Sequence, residues 1–194
     1  MPVKNAMLAI VKHVSEIIEE LDESEIDTMI EEIQNANRIF LLGAGRSGLA
    51  ARAFAMRLVQ LGLTAYVVGE SVTPAMTNKD LLIAVSGSGE TTSVVNAAKI
   101  AKGVGSKILT VTSYPKSSLG KISDYIVTVQ GRTKIDIERD PLKNQIEGKH
   151  ASLTPLGTLF EDTVMIFFDG IIARLMIQLH AEEEDLKRRH PTLE

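Results

Sequence analysis

Two short segments carry the residue types that hold an oxyanion without a metal. The first is Gly43-Ala44-Gly45-Arg46-Ser47-Gly48, which follows the apolar run IFLLG and precedes a helical pattern. Small residues at such a junction let backbone N–H groups approach an anion at the positive end of the helix. The second is Ser86-Gly87-Ser88-Gly89-Glu90-Thr91, after the run LLIAV, with three hydroxyls and two glycines at the start of another helix. Hydroxyl and amide donors to a dianion make charge-assisted hydrogen bonds, and the helix dipole adds about 0.3–2 kcal/mol, so no lysine cluster is required. Taken alone, the first segment also fits the G-x-G-x-x-G dinucleotide fingerprint, with Glu70 placed where a ribose-binding acid would stand. A tight turn without a ligand is the bland alternative for it, as a plain helix cap at Thr91 is for the second. Two nests on neighbouring strand ends favour a phosphorylated sugar, because a dinucleotide needs only the first.

The bulk composition limits how that phosphate is captured. With 21 Lys and Arg against 25 Asp and Glu, the net charge is −4. The chain as a whole therefore has no general attraction for phosphate backbones or anionic lipids, and nucleic acid and membrane are not expected partners. Lys4 and Lys12 interrupt the apolar N-terminus, leaving no signal-peptide core and no bilayer span, which reads as cytoplasmic. No cysteine is present, so thiol nucleophiles, disulfides and thiolate metal sites are excluded. Acid–base chemistry falls to His, Glu, Asp, Lys or Tyr. His13, His150 and His180 show no metal-ligand spacing and read as surface or loop residues; no metal is expected.

The elements needed to position the nests follow from the hydrophobic pattern. Leu8, Val11, Val14, Ile17, Ile18 and Leu21 repeat at helical spacing, and Asp22 with Ser24 marks a break and a cap before a second helix over 26–33. IFLLG, AYVVG, LLIAVS, KILTVTS and DYIVTV read as five short buried strands, with helices over 47–61 and from Thr91 to the glycines at 103 and 105. This predicts an α/β fold, a five-stranded parallel sheet flanked by helices on both faces, doubly wound in the flavodoxin or Rossmann manner. A polar stretch from Gln130 to Thr154 is long enough to suggest a lid. Pro155 then opens the most apolar helix of the chain, LGTLFEDTVMIFFDGIIARLMIQL, expected to be central or at an oligomer interface. One domain over 1–194 is expected: a helical segment 1–36, an α/β core 37–180 and a charged tail 181–194.

The pair G-x-G-x-S and S-x-S-G-x-T resembles the signature of sugar-isomerase (SIS) domains. The segments GAGRSG, AMRLVQLG, VGESVTP, SGSGET, TPLGTLFE and KRRHP further resemble those of the 6-phospho-3-hexuloisomerase family over about residues 10–194. That resemblance implies a reaction between D-arabino-3-hexulose 6-phosphate and D-fructose 6-phosphate, in the ribulose monophosphate route of formaldehyde fixation, without cofactor. It implies that Ser86, Ser88 and Thr91 hold the sugar's phosphate, with Ser47 adding to the site and Gly45, Gly87 and Gly89 freeing the backbone around it. Arg46 is implied either as a contact to substrate oxygens or as a salt bridge. Glu161 is implied as the proton-transferring base, with a structural salt bridge as its alternative, and Asp162, turned about 100° away on the helix, as its control. His190 in the tail is the second catalytic candidate, able to shuttle a hydroxyl proton, and its terminal position suggests a neighbouring subunit's site.

Competing readings are a SIS isomerase for another phosphosugar, a non-catalytic sugar-phosphate sensor and a dehydrogenase using NAD. The apolar last helix and amphipathic leading helices predict a homo-oligomer; the family resemblance favours a tetramer, with a dimer as the alternative.

Overall fold

The computed structural model describes residues 2–131 and 157–189. Pro155, His150, His190 and most of the polar stretch expected as a lid lie outside the described residues. The chain opens with α1 (Pro2–Glu20) and α2 (Glu23–Asn35). Asp22 separates them as expected: its carboxylate accepts the backbone N–H groups of Ser24 and Glu25, capping α2.

The sheet comprises β1 (Ile39–Gly43), β2 (Ala65–Val67), β3 (Leu81–Val85), β4 (Lys107–Thr112) and β5 (Tyr125–Thr128). All pairings are parallel and the spatial order is β2-β1-β3-β4-β5. Helix α3 (Gly45–Gln60) joins β1 to β2, and α4 (Thr92–Val104) joins β3 to β4. The other two crossovers have no α-helix: residues 68–80 connect β2 to β3, and β4 reaches β5 through one 3-10 turn, Gly120–Ile122. Helices α5 (Thr158–Gln178) and α6 (Glu183–Arg188) follow the sheet. Helix α4 runs through Gly103 and ends at Gly105, whose left-handed conformation (φ 88°) forms its C-cap.

Alternate strand residues feed two cores. Ile39, Leu41, Leu81, Ile83, Val85, Leu109 and Val111 face α1, α2, α3 and α5, whereas Phe40, Leu42, Leu82, Ala84 and Ile108 face α4. Helices thus cover both faces, unequally. Helix α5 is largely central: Phe160, Val164, Phe168 and Leu175 are buried, and Phe168 stacks on Phe54 of α3 with ring centroids 4.2 Å apart. On the edge strand β5, the N–H of Thr128 is taken up by Glu25 of α2 at 2.6 Å, which closes part of an otherwise open edge.

Below the sheet's amino edge, Arg38 and Asp80 make the most enclosed ion pair among the described residues. Arg38 donates two hydrogen bonds, 3.0 and 2.7 Å, to the buried carboxylate, which also accepts the N–H and hydroxyl of Thr77. Burial pushes the Asp80 carboxyl up, but the bonds from Arg38 and Thr77 and the charge of Arg38 together outweigh it and hold the group below its ordinary value.

Candidate functional site

The strand order reverses direction between β1 and β3, and in an open parallel sheet the crevice beyond the carboxyl ends of those strands is where a ligand fits. Gly43 and Val85, the last residues of β1 and β3, are register partners, so both nests leave the sheet side by side. The first returns tightly. A Cβ on Gly43 would stand 2.8 Å from the backbone N of Gly48, and one on Gly48 would stand 2.8 Å from the carbonyl O of Gly43. Only glycine at both positions lets α3 start this close to β1.

A cavity of about 310 Å³ occupies the crevice, lined by residues 44–47, by Val85, Ser86, Gly87, Ser88 and Thr91, and by Gly157, Phe160 and Glu161 of the α5 start. Of the residues singled out from sequence, Gly45, Arg46, Ser47, Ser86, Gly87, Ser88, Thr91 and Glu161 meet around this one cavity. Gly89 stands just behind it, its N–H on the Ser86 hydroxyl at 3.2 Å. Three helices, α3, α4 and α5, begin at the cavity, and their N-cap residues Ala44, Thr91 and Gly157 make no side-chain capping bond. By contrast α2, which starts elsewhere, is capped by Asp22. Thr91 therefore holds the N-cap position of α4 without using its hydroxyl as a cap; Oγ1 lies 3.3 Å from Oγ of the buried Ser86. Three sets of free helix N–H groups and several hydroxyls converge on one volume, which suits an oxyanion.

The second nest is pinned from behind. Gly87 O accepts the N–H of Ser113, Gly89 O accepts the N–H of Leu119, and Glu90 accepts the N–H of Ser118 at 2.8 Å. The hydroxyl and N–H of Ser118 hold the Glu90 carboxyl below its ordinary value.

Across the cavity, Arg46 makes a salt bridge rather than standing free. Its Nε donates to Glu161 Oε2 and a terminal nitrogen to Asp162 Oδ1, each at 2.6 Å. The side chain of Glu161 is 16% exposed, against 36% for Asp162. Asp162 is consequently no detached control: it shares Arg46 with Glu161, because the long guanidinium spans the 100° between adjacent helix positions. Glu161 folds back over Gly157, whose φ of 84° places it in the left-handed region. Glu70, noted as a possible ribose ligand, pairs with Arg52 at 2.6 Å. His13 bonds the carbonyl of Gln130 at 3.3 Å. Arg189, the last described residue, bonds the carbonyl of Gln60 at the far end of α3, about 22 Å along that helix from Gly45.

Asp162, Glu90 and Gly157 were not identified from sequence as parts of the site. The local signal for Gly157 was present, a glycine directly before a long apolar run; Asp162 and Glu90 depend on partners 116 and 28 residues away. Among the described residues no group of three or more His, Asp or Glu could hold a metal ion, and no helix is long and apolar enough to cross a membrane.

Comparison with known proteins agrees with this architecture. The SIS domain model matches residues 32–143. A 3-hexulose-6-phosphate isomerase of Bacillus subtilis is 37% identical over 190 residues, covering 94% of this chain and 98% of its own. A relative from Archaeoglobus fulgidus, described as an uncharacterized protein, is 49% identical over 183 residues, covering 94% and 95% of the two chains. A crystal structure from Methanococcus jannaschii, for which a 3-hexulose-6-phosphate isomerase function was inferred, superposes with a TM-score of 0.79 at 31% identity over the whole of both chains. With the fold, the paired nests and relatives of this similarity over nearly full length, the chain belongs to the SIS domain family, in the group that includes the 3-hexulose-6-phosphate isomerases.

Proposed function

We propose that the chain is an isomerase interconverting D-arabino-3-hexulose 6-phosphate and D-fructose 6-phosphate, with the phosphate in the Ser86–Thr91 nest and Glu161 as the base. The observation that carries this is the meeting of a carboxylate with two donor-rich nests in one cavity of about 310 Å³. The 37% identity to an isomerase of that name over nearly the whole chain supports the substrate.

In the direction of fructose 6-phosphate, Glu161 takes the proton from C2, the electrons form the C2–C3 enediolate, and the carbonyl at C3 becomes an oxyanion. Glu161 returns its proton to C3 while the C2 hydroxyl loses its proton and closes to the carbonyl, the hydroxyl proton ending on O3. Ser86, Ser88 and Thr91 hold the phosphate, with Gly45, Gly87 and Gly89 letting the amides of the turns come close. Ser47 and the free amides of the α3 start face the enediolate oxygens, where preorganised donors matter most. Arg46 holds Glu161. His190 shuttles the hydroxyl proton, reaching the cavity of a neighbouring copy.

The enzyme works as a cytoplasmic homotetramer, without metal, in the ribulose monophosphate route of formaldehyde fixation, as one domain with a helical start and a charged tail. Self-association is supported by the apolar stripe of α1, where Val3, Met7, Val11 and Ile18 are more than half exposed. The decisive experiment couples fructose 6-phosphate production from 3-hexulose 6-phosphate to NADPH formation, using wild type beside Glu161→Gln. Loss of the base should cost about a hundredfold to ten-thousandfold in kcat. A wild type that binds fructose 6-phosphate yet turns nothing over would refute the isomerase in favour of a sugar-phosphate sensor.

A further inference from the structure

Arg46 faces two adjacent carboxylates and divides itself between them. A guanidinium opposite a single carboxylate tends to close on it fork to fork, with two parallel N–H···O bonds. Here Nε alone reaches Glu161, at Oε2, while the terminal nitrogen is drawn to Asp162 Oδ1. Among the described residues Glu161 Oε1 accepts no hydrogen bond. It lies over Gly157, 2.9 Å from where a Cβ would stand, on the cavity wall.

We propose that Asp162 is a positioning residue for the reaction: by taking the terminal nitrogen of Arg46 it prevents the guanidinium from closing on both oxygens of Glu161, and so leaves Oε1 open to the substrate's C2 proton. This rests on Glu161 being the base. The role is geometric, since the Arg46 side chain is 54% exposed and an ion pair so open to solvent adds little to stability. Without Asp162, Arg46 rotates onto Glu161 and occupies the oxygen that must accept the proton. Phosphate capture, made by the Ser86–Thr91 nest, is unaffected.

The test is steady-state kinetics of full-length Asp162→Ala, Asp162→Glu, Arg46→Ala and Arg46→Ala/Asp162→Ala, with Glu161→Gln alongside and inorganic phosphate as competitive inhibitor. Asp162→Ala should lower kcat about tenfold, part of what a base contributes, with KM and phosphate inhibition unchanged. Asp162→Glu, which keeps a carboxylate within reach, should recover most of the rate. In the Arg46→Ala background the Asp162→Ala change should cost nothing further, because Asp162 acts through Arg46. Wild-type kcat in Asp162→Ala, or losses that multiply independently in the double variant, would overturn the proposal while an inactive Glu161→Gln leaves the base assignment standing. A fully active Glu161→Gln would instead remove the base assignment and this proposal with it.

Discussion

Glu90 turns away from the cavity its own motif lines and accepts the backbone N–H of Ser118 at 2.8 Å, tying the second nest to the loop after β4. The nest presents its donors because its back is held, here and through the carbonyls of Gly87 and Gly89.

Releasing that clasp with Glu90→Ala should raise KM and weaken inhibition by inorganic phosphate about tenfold, the worth of one charge-assisted hydrogen bond, with kcat little changed. Because the Glu90 carboxyl is held below its ordinary value, the clasp is intact above about pH 4 and is lost only as pH falls through the lowered value. Phosphate inhibition measured from neutrality down to that range should therefore stay flat in this respect. A KM unchanged in Glu90→Ala would show that the backbone bonds suffice.

At Gly157 a side chain is opposed twice, by a φ of 84° and by the Glu161 carboxylate 2.9 Å from where the Cβ would go. Gly157→Ala should cost about 1 kcal/mol in stability. Its kcat should fall much further than that cost explains, because the carboxylate must move. Thermal melting and turnover on the same sample separate the two effects; unaltered kcat would mean that Glu161 tolerates displacement.

Asp80 provides a test remote from the cavity. Asp80→Asn leaves Arg38 facing a neutral amide in an enclosed position and should destabilise the fold by about 3 kcal/mol, read from denaturant midpoints. Its depressed value fixes the sign in acid: the pair stabilises the fold above the unfolded value near pH 3.9, and that stability is lost as pH drops through the lower folded value. The acid limb of wild-type stability should thus be steeper than that of Asp80→Asn.

Most of the architecture was legible in the sequence because its signals are local. Five apolar runs with turn residues between them gave the five strands, and Asp22 with Ser24 gave the α2 start. Ser47, Ser86, Ser88 and Thr91 could be grouped because each lies at a strand-to-helix junction, and parallel topology brings such junctions to one edge. What could not be read was pairing over distance. The reach of Arg46 to Asp162 spans 116 residues, and that of Glu90 to Ser118 depends on how two loops pass each other. Gly157 stands out as a glycine before a long apolar run, but its left-handed φ of 84° is set by the turn into α5.

The shared opening of three uncapped helices on an acidic chain has a kinetic side. Dipoles and hydroxyls act over a few ångströms, whereas a net charge of −4 repels an anion from further off. Such a cavity gives no long-range steering; a phosphorylated sugar arrives by unguided diffusion against a mild barrier. Added salt should therefore leave encounter unchanged or slightly hasten it, the reverse of a lysine-lined site. Discrimination begins only at contact, where shape and donor positions decide.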